Sequence, residues 1–242
     1  MFSLCIPTIN RYDTFLKDYI PKYLLNPLIS EIIITDENGN DIQKIKENIK
    51  DENNKLKLFK NDSVLGPFLN KHKACKLATN EWIALMDSDN FADTDYFITS
   101  KKYLENNKVC NTSIIAPSWA KPNFDYRVFN NQIITKNNLK EMDKKNKILT
   151  TLMNTGNYII NKYLIDNINL DKEKDKIQFS SSCDVIYFNV LLFEQFNLEI
   201  HIIADMHYNH VVHSGSIYIN THQKFANFNK IIHDRYYLLF TN

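Results

Sequence analysis

Glycine is scarce in this chain of 242 residues: only Gly39, Gly66, Gly156 and Gly215 are present. No glycine-rich Gly-x-Gly-x-x loop can be written from them after the first strand, which excludes the phosphate loop of a sugar nucleotidylyltransferase. A chain this poor in glycine keeps one mainly where the backbone needs it. The four cysteines, Cys5, Cys75, Cys110 and Cys183, are scattered and form no C-x-x-C pair, so a reduced chain is predicted rather than a disulfide framework. Charge of one sign is lacking too. Lysine and arginine number 29, aspartate and glutamate 28, so no nucleic-acid partner is expected. No apolar run approaches the ~20 residues of a membrane span. The opening Met1-Phe2-Ser3-Leu4 lacks the basic, then apolar, pattern of a secretion signal, and a cytoplasmic location is the expectation.

Apolar residues make up 44% of the chain, enough for one substantial core or at most two small ones. The first half alternates. Phe2–Ile9, Ile32–Ile34, Lys55–Lys60 and Trp82–Met86 read as strands; Tyr12–Leu25, Asp41–Ile49 and Lys71–Thr79 carry helical spacing, with Pro21 set to kink or split the first. Continuously apolar strands separated by helices predict a mostly parallel sheet covered on both faces. The second half is mixed. Helices are expected at Asp95–Asn106 and Asp184–Phe196. Strands are expected at Ser113–Ala116, Tyr126–Phe129, Gln132–Thr135, Asn157–Ile160 and Glu199–Ala204, and a mobile loop or exposed helix at Asn137–Lys147. With no linker and no repeat, a single domain in two functional halves is expected, residues 1–95 and 96–242.

The most informative segment is Trp82-Ile83-Ala84-Leu85-Met86-Asp87-Ser88-Asp89. Two carboxylates emerge where a buried strand ends, the place at which open α/β sheets bind ligands. Spaced by one residue, they suit a hard cation that keeps positions open for phosphate oxygens. The plainer possibility is that they cap the helix that follows.

Around this segment lies a set of motifs. Pro7-Thr8-Ile9-Asn10-Arg11 ends the first strand, and Ile32-Ile33-Ile34-Thr35-Asp36-Glu37-Asn38-Gly39 ends the second. Gly66-Pro67-Phe68-Leu69-Asn70-Lys71-His72 then leads through Ala78-Thr79-Asn80-Glu81-Trp82-Ile83 to Asp87-Ser88-Asp89. Over residues 2 to 97 this resembles the glycosyltransferases of family 2, which have the GT-A fold. Glu37 stands where the family has a second aspartate, and His72 where it has asparagine; neither change removes a charge.

The resemblance implies a Rossmann-like nucleotide-sugar-binding half with a mostly parallel sheet, followed by a mixed α+β acceptor half. It implies a metal-dependent, inverting transfer of a sugar from a nucleotide-sugar donor, UDP-sugar before GDP-sugar, to the hydroxyl of a glycan or other acceptor, with Mn²⁺ or Mg²⁺ as cofactor. Asp36 or Glu37 would accept from the base, with Pro7, Thr8 and Asn10 lining the same pocket. Arg11 and Lys71 are the basic candidates for the diphosphate. Asp87 and Asp89 would hold the cation, with Ser88 between them on the donor, and Gly156, in Asn154-Thr155-Gly156-Asn157, would lie under the donor sugar. Asp184, opening an amphipathic helix after Ser181-Ser182-Cys183, matches the family's general base, and a helix N-terminus favours its carboxylate.

Four of seven histidines cluster at His201, His207, His210 and His213. The spacing of the last three fits neither a helical pair nor a zinc finger. The family instead places a metal-binding histidine beside a small-residue turn, and His213-Ser214-Gly215-Ser216 resembles it, with His210 and then His207 as alternatives; Gly215 is expected at positive φ. Two other classes compete. A haloacid-dehalogenase-like phosphatase also carries Asp-x-Asp, but after its first strand, and a non-catalytic sugar-binding module would have no need of Asp87, Asp89 and Asp184 together.

Overall fold

The computed structural model describes residues 1–241. Nine strands form one sheet: β1 Phe2–Thr8, β2 Ile29–Asp36, β3 Leu56–Lys60, β4 Trp82–Leu85, β5 Ser113–Lys121, β6 Phe124–Asp125, β7 Ile133–Thr135, β8 Ile159–Asn161 and β9 Glu199–Asn209. Their spatial order is β3-β2-β1-β4-β8-β5-β9-β7, with β6 paired to β5. The helices are α1 Lys17–Leu25, α2 Asn40–Asn48, α3 Gly66–Lys76, α4 Thr94–Asn106, α5 Leu139–Lys145, α6 Ile148–Thr155, α7 Lys162–Asn167, α8 Lys174–Ile177, α9 Asp184–Gln195, α10 Ile217–Thr221 and α11 Ala226–Leu238.

The first four strands are parallel to one another. Ile32, Ile33 and Ile34 are wholly buried, as a strand covered by helices on both faces requires. Because β1 has β2 on one side and β4 on the other, strand order reverses beside it. The crevice at the carboxyl ends of β1 and β4 is therefore the place where such sheets take ligands. β8 then pairs antiparallel with β4, Ala84 opposite Ile159. That pairing brings the residues just before β8 alongside the residues just after β4.

Local chemistry explains where the expected elements shift. The first helix changes its winding at Lys17 rather than at Pro21. A π turn, Tyr12–Leu16, leads into α1, and Pro21, lacking an N–H, makes no bond back to the Lys17 carbonyl. Tyr126–Phe129 is not a strand. The Arg127 amide and guanidinium both donate to Asp125, which curls the chain into a 3₁₀ turn over Arg127–Phe129. The polar stretch Asn137–Lys147 holds a helix, α5, anchored by the fully buried Leu139.

Glu31 in β2 is 3% exposed. Burial alone would raise its pKa, but Lys57, Ser3 and Thr79, donating to its carboxylate, hold it at about 2 against an ordinary 4.5. A depressed carboxyl adds stability that is complete above the ordinary pKa and is lost as pH falls through the folded-state one. Glu31→Gln is expected to lower the denaturation midpoint at neutral pH, with the gap from wild type narrowing between pH 4.5 and about 2. Urea titrations across that range check this; a gap indifferent to pH would contradict it.

Candidate active site

A cleft of about 820 Å³ opens at the carboxyl ends of β1, β2 and β4 and is closed on its far side by α6, the start of α9 and the segment after β9. Pro7, Thr8 and Arg11 line it from β1, Glu37 from β2, and Asp87, Ser88 and Asp89 from β4.

The loop after β1 is pinned by Asp41, in the first turn of α2. Its carboxylate accepts from Thr8 Oγ1 at 2.6 Å, Arg11 N at 2.9 Å and Tyr12 N at 2.9 Å. Asn10 is left-handed, with φ 53°, and its Oδ1 accepts from Asn38 and Asn40. It shapes the loop and does not line the cleft. Asp36 is also diverted. Fully buried, it accepts from the amides of Asn38, before α2, and of Ile42, in its first turn, so it does not line the cleft. Glu37 does: it lines the cleft, and its Oε2 accepts from Leu65 N at 2.7 Å.

At the floor, Lys71 from α3 lies between two carboxylates, Nζ being 2.9 Å from Asp87 Oδ1 and 2.8 Å from Asp184 Oδ2. Burial alone would lower the lysine's pKa, but Asp184 and Asp87 together raise it, so it stays charged. Lys71 is thus engaged within the chain rather than standing free for a diphosphate. Burial pushes the Asp184 carboxyl up, against the pull of Lys71. Its contact to Lys71 is an ion pair without hydrogen-bond alignment, which leaves Oδ2 without a hydrogen-bond donor. Cys183, the N-cap of α9, makes no side-chain cap, and the Asp184 carboxylate accepts from its own backbone N–H.

The remaining groups of Asp87 are held by Asn157. Asp87 N donates to Asn157 Oδ1 at 2.7 Å, and Asn157 Nδ2 donates to Asp87 Oδ2 at 3.1 Å. Asn157 is left-handed, φ 57°, and lies opposite the end of β4 because β8 runs antiparallel to it. Nothing in the motifs marks Asn157 as a partner of Asp87; an asparagine after glycine, just before a strand, is the local signal for its left-handed backbone. Its neighbour Gly156 does not reach the cleft. It caps α6 at φ 63°, and a Cβ there would lie 3.1 Å from Val185 Cγ2.

The segment after β9 crosses the Asp87–Asp89 turn. Phe91 and Asn209 form a bridge, Val211 N donates to Asn90 Oδ1 at 3.0 Å, and Arg11 Nη2 donates to the Gly215 carbonyl at 2.6 Å. His213 Nε2 then donates to Asp89 Oδ2 at 3.0 Å. Asp89 has a raised pKa, through burial and then the charge of Asp87, with His213 and Arg11 opposing. Gly215 is not among the positive-φ residues; its role is close approach, since a Cβ would sit 3.2 Å from His213 Nδ1, a tight contact. His210 lines the cleft but its Nδ1 accepts from Asn123, and His207 turns away to the Asp205 carbonyl. Asp87, Asp89, Lys71, Asp184, Arg11 and His213 are therefore brought together, while Asp36, Asn10, Gly156 and His207 are not. Among the described residues no three of His, Cys, Asp or Glu form a ready-made metal cluster, and no helix is long and apolar enough to cross a membrane.

A family model described as Glycosyl transferase family 2 matches residues 3–167. Among solved structures, S. aureus TarS 1-349 in complex with UDP-GlcNAc is similar at 15% identity, TM-score 0.68, over 97% of this chain and 66% of that one. The mannosyltransferase PcManGT from Pyrobaculum calidifontis, in complex with GDP-Man and Mn²⁺, is similar at 12% identity and TM-score 0.60, over 98% and 69% of the two chains. Glucosyl-3-phosphoglycerate synthase from Mycobacterium tuberculosis, in complex with Mn²⁺, UDP and glucosyl-3-phosphoglycerate, is similar at 11% and 0.57, over 99% and 79%. At these identities the likeness is one of fold, the GT-A fold, and the chain spans just under two thirds of the TarS 1-349 chain. No curated protein matches the sequence. The family model covers more than half of the chain and includes the strand ends that build the cleft, and on that ground the chain belongs to glycosyl transferase family 2.

Proposed function

We propose that the protein is a metal-dependent, inverting glycosyltransferase that moves a sugar from a nucleotide-sugar donor, a UDP-sugar before a GDP-sugar, to an acceptor hydroxyl. One observation carries the reading: a buried carboxylate with raised pKa, Asp184, stands across Lys71 from the Asp87–Asp89 turn, in one cleft. Structural neighbours solved in complex with UDP-GlcNAc, and with GDP-Man and Mn²⁺, support it.

The donor set fits a divalent cation. Carboxylate oxygens with one imidazole suit Mn²⁺ or Mg²⁺. Asp89 and Asp87 line the cleft, and His213, behind Asp89 and bonded to its Oδ2, would join them in holding the ion once that bond is exchanged for the metal. Bound there, the ion would offset the diphosphate's negative charge as it leaves. The chain's own residues do the rest. Glu37, Pro7 and Thr8 form the base side of the pocket. Asp184 takes the proton of the acceptor hydroxyl. The acceptor oxygen bonds to the anomeric carbon as the carbon–phosphate oxygen bond breaks on the opposite face, which inverts that centre. Lys71 keeps Asp87 and Asp184 at a fixed separation.

Calorimetry with UDP, GDP and uridine tests the donor side. Asp89→Ala is expected to weaken UDP binding at least roughly tenfold, since loss of even an outer-shell partner costs 10–100-fold at metal sites, and to leave uridine binding nearly unchanged. His213→Ala should shift the Mn²⁺ requirement upward in the same assay. UDP and GDP binding that ignores chelator would remove the metal from the reading. Failure to turn over any member of a nucleotide-sugar panel, with binding intact, would leave a sugar-binding module.

A further inference from the structure

The wall of the cleft facing Asp184 has a chemistry of its own. It is built from Thr151 and Asn154 of α6, Ser181 and Ser182 before α9, and Asn229 and His233 of α11. All six carry hydroxyl, amide or imidazole groups. Burial lowers the His233 pKa, so its ring is neutral near pH 7. Two aromatic side chains, Phe124 and the 55% exposed Tyr218, line the same cleft.

This wall is fixed relative to the base. Asn154 Oδ1 accepts from Ile186 N in the first turn of α9, and its Nδ2 donates to the Ser182 carbonyl. Ser182 Oγ and the Asn229 amide bond each other at 2.8–3.0 Å. Among the described residues, the side chains of Thr151, Ser181 and His233 make no hydrogen bond within the chain, and they are left to a ligand. Charge lies elsewhere in the cleft. Glu37, Asp87, Asp89 and Asp184 supply four carboxylates against two cations, Lys71 and Arg11. Lys71 is taken by two of those carboxylates and Arg11 Nη2 by the Gly215 carbonyl.

We infer that the acceptor entering this cleft is an uncharged sugar unit, held by hydroxyl, amide and imidazole groups at its edges and by aromatic faces, and that a phosphate or carboxylate on that unit is rejected. The inference rests on the reading as a glycosyltransferase and names its acceptor class. Neutral polar side chains and aromatic faces match a polyhydroxyl ring. An anionic substituent on a ring whose hydroxyl meets Asp184 would be placed among like charges, with Lys71 already paired to two carboxylates and Arg11 held on the opposite side of the cleft at the Gly215 carbonyl.

Matched acceptors test this. Disaccharides of glucose, galactose, mannose and N-acetylglucosamine, and the same sugars as 6-phosphates or uronates, are compared by ligand-observed NMR on the protein loaded with UDP and Mn²⁺. They are then compared by kcat/KM with whichever nucleotide sugar the protein hydrolyses. The neutral member of a pair is expected to be favoured at least about tenfold. Thr151→Lys, which adds a cation to the wall, should narrow that gap by about tenfold. Equal or better use of the anionic member, binding of none of the neutral sugars, or a gap that Thr151→Lys does not move would overturn the inference while leaving the glycosyltransferase reading intact. Absence of both UDP binding and nucleotide-sugar hydrolysis would overturn that reading, and this inference with it.

Discussion

Asp184→Asn is expected to reduce sugar transfer by roughly 10²–10⁴-fold, the usual cost of removing a general base, with UDP binding kept within a few-fold. The amide has the carboxylate's shape and no capacity to take a proton. In the native chain the carboxyl is buried, pushed up in pKa, and paired with Lys71. In the variant Lys71 keeps its ion pair to Asp87, so the floor of the cleft stays assembled. The asparagine Oδ1 can accept the backbone N–H that the carboxylate accepts, and the helix forfeits mainly the interaction of a negative charge with its N-terminus, about 0.3–1 kcal/mol. Folding and donor binding therefore survive, and the loss falls on kcat. Single-turnover transfer, with UDP affinity measured alongside, separates the two. Near-normal turnover would make Asp184 a structural partner of Lys71 and send the search for the base to another residue.

What the sequence reveals at this site is what is written locally. The run Trp82–Leu85 followed by Asp87 and Asp89 is a buried strand that delivers carboxylates, and no distant contact is needed to see it. Asp184 is legible for the same reason, as an acidic residue at the start of an apolar-faced helix. Asp36 and Glu37 mark the limit. Adjacent residues leaving a strand point to opposite faces, so only one of them lines the cleft. The choice of Glu37 depends on α2 folding back, so that its amides, with that of Asn38, take Asp36.

The contacts that stayed hidden are set by pairing across the sheet. Asn157 meets Asp87 only because β8 runs antiparallel to β4, and nothing near residue 157 encodes that register. The three histidines at 207, 210 and 213 look alike in sequence. β9 extends to Asn209, past Asp205 in a left-handed conformation, and is tied at its end to Phe91. That fixes which histidine arrives over Asp89. Helices α6 and α11 carry no clean stripe that sequence alone would show, because their buried residues pack mainly on α9, and α10 buries none; Ile232 and Tyr236 are the only buried residues of α11.

Lys71→Met is the variant expected to cost most in stability. Methionine preserves most of the length of the stem and removes the charge from between Asp87 and Asp184. Breaking a buried ion pair by deleting one partner costs about 3–5 kcal/mol, because the other charge stays buried without compensation. Here two carboxylates are left, each with the other as a like-charged neighbour and Asn157 as the one remaining donor to Asp87. The folded state answers by taking up a proton, since burial and the charge of Asp87 already push Asp184 upward. A carboxyl with raised pKa in the folded state makes the fold bind more protons than the unfolded chain, so stability falls as pH rises through the unfolded value towards the folded one. The deficit of Lys71→Met should therefore be small near pH 4 and grow towards neutrality. Transfer should be lost across the same range, because the carboxyl that takes the proton is the one that must be free to act as base. Lys71→Arg, which restores the charge, should recover most of the stability. Denaturation of the three proteins at matched pH values decides it: a Met variant as stable as wild type at neutral pH would mean that water, not Lys71, compensates the two carboxylates.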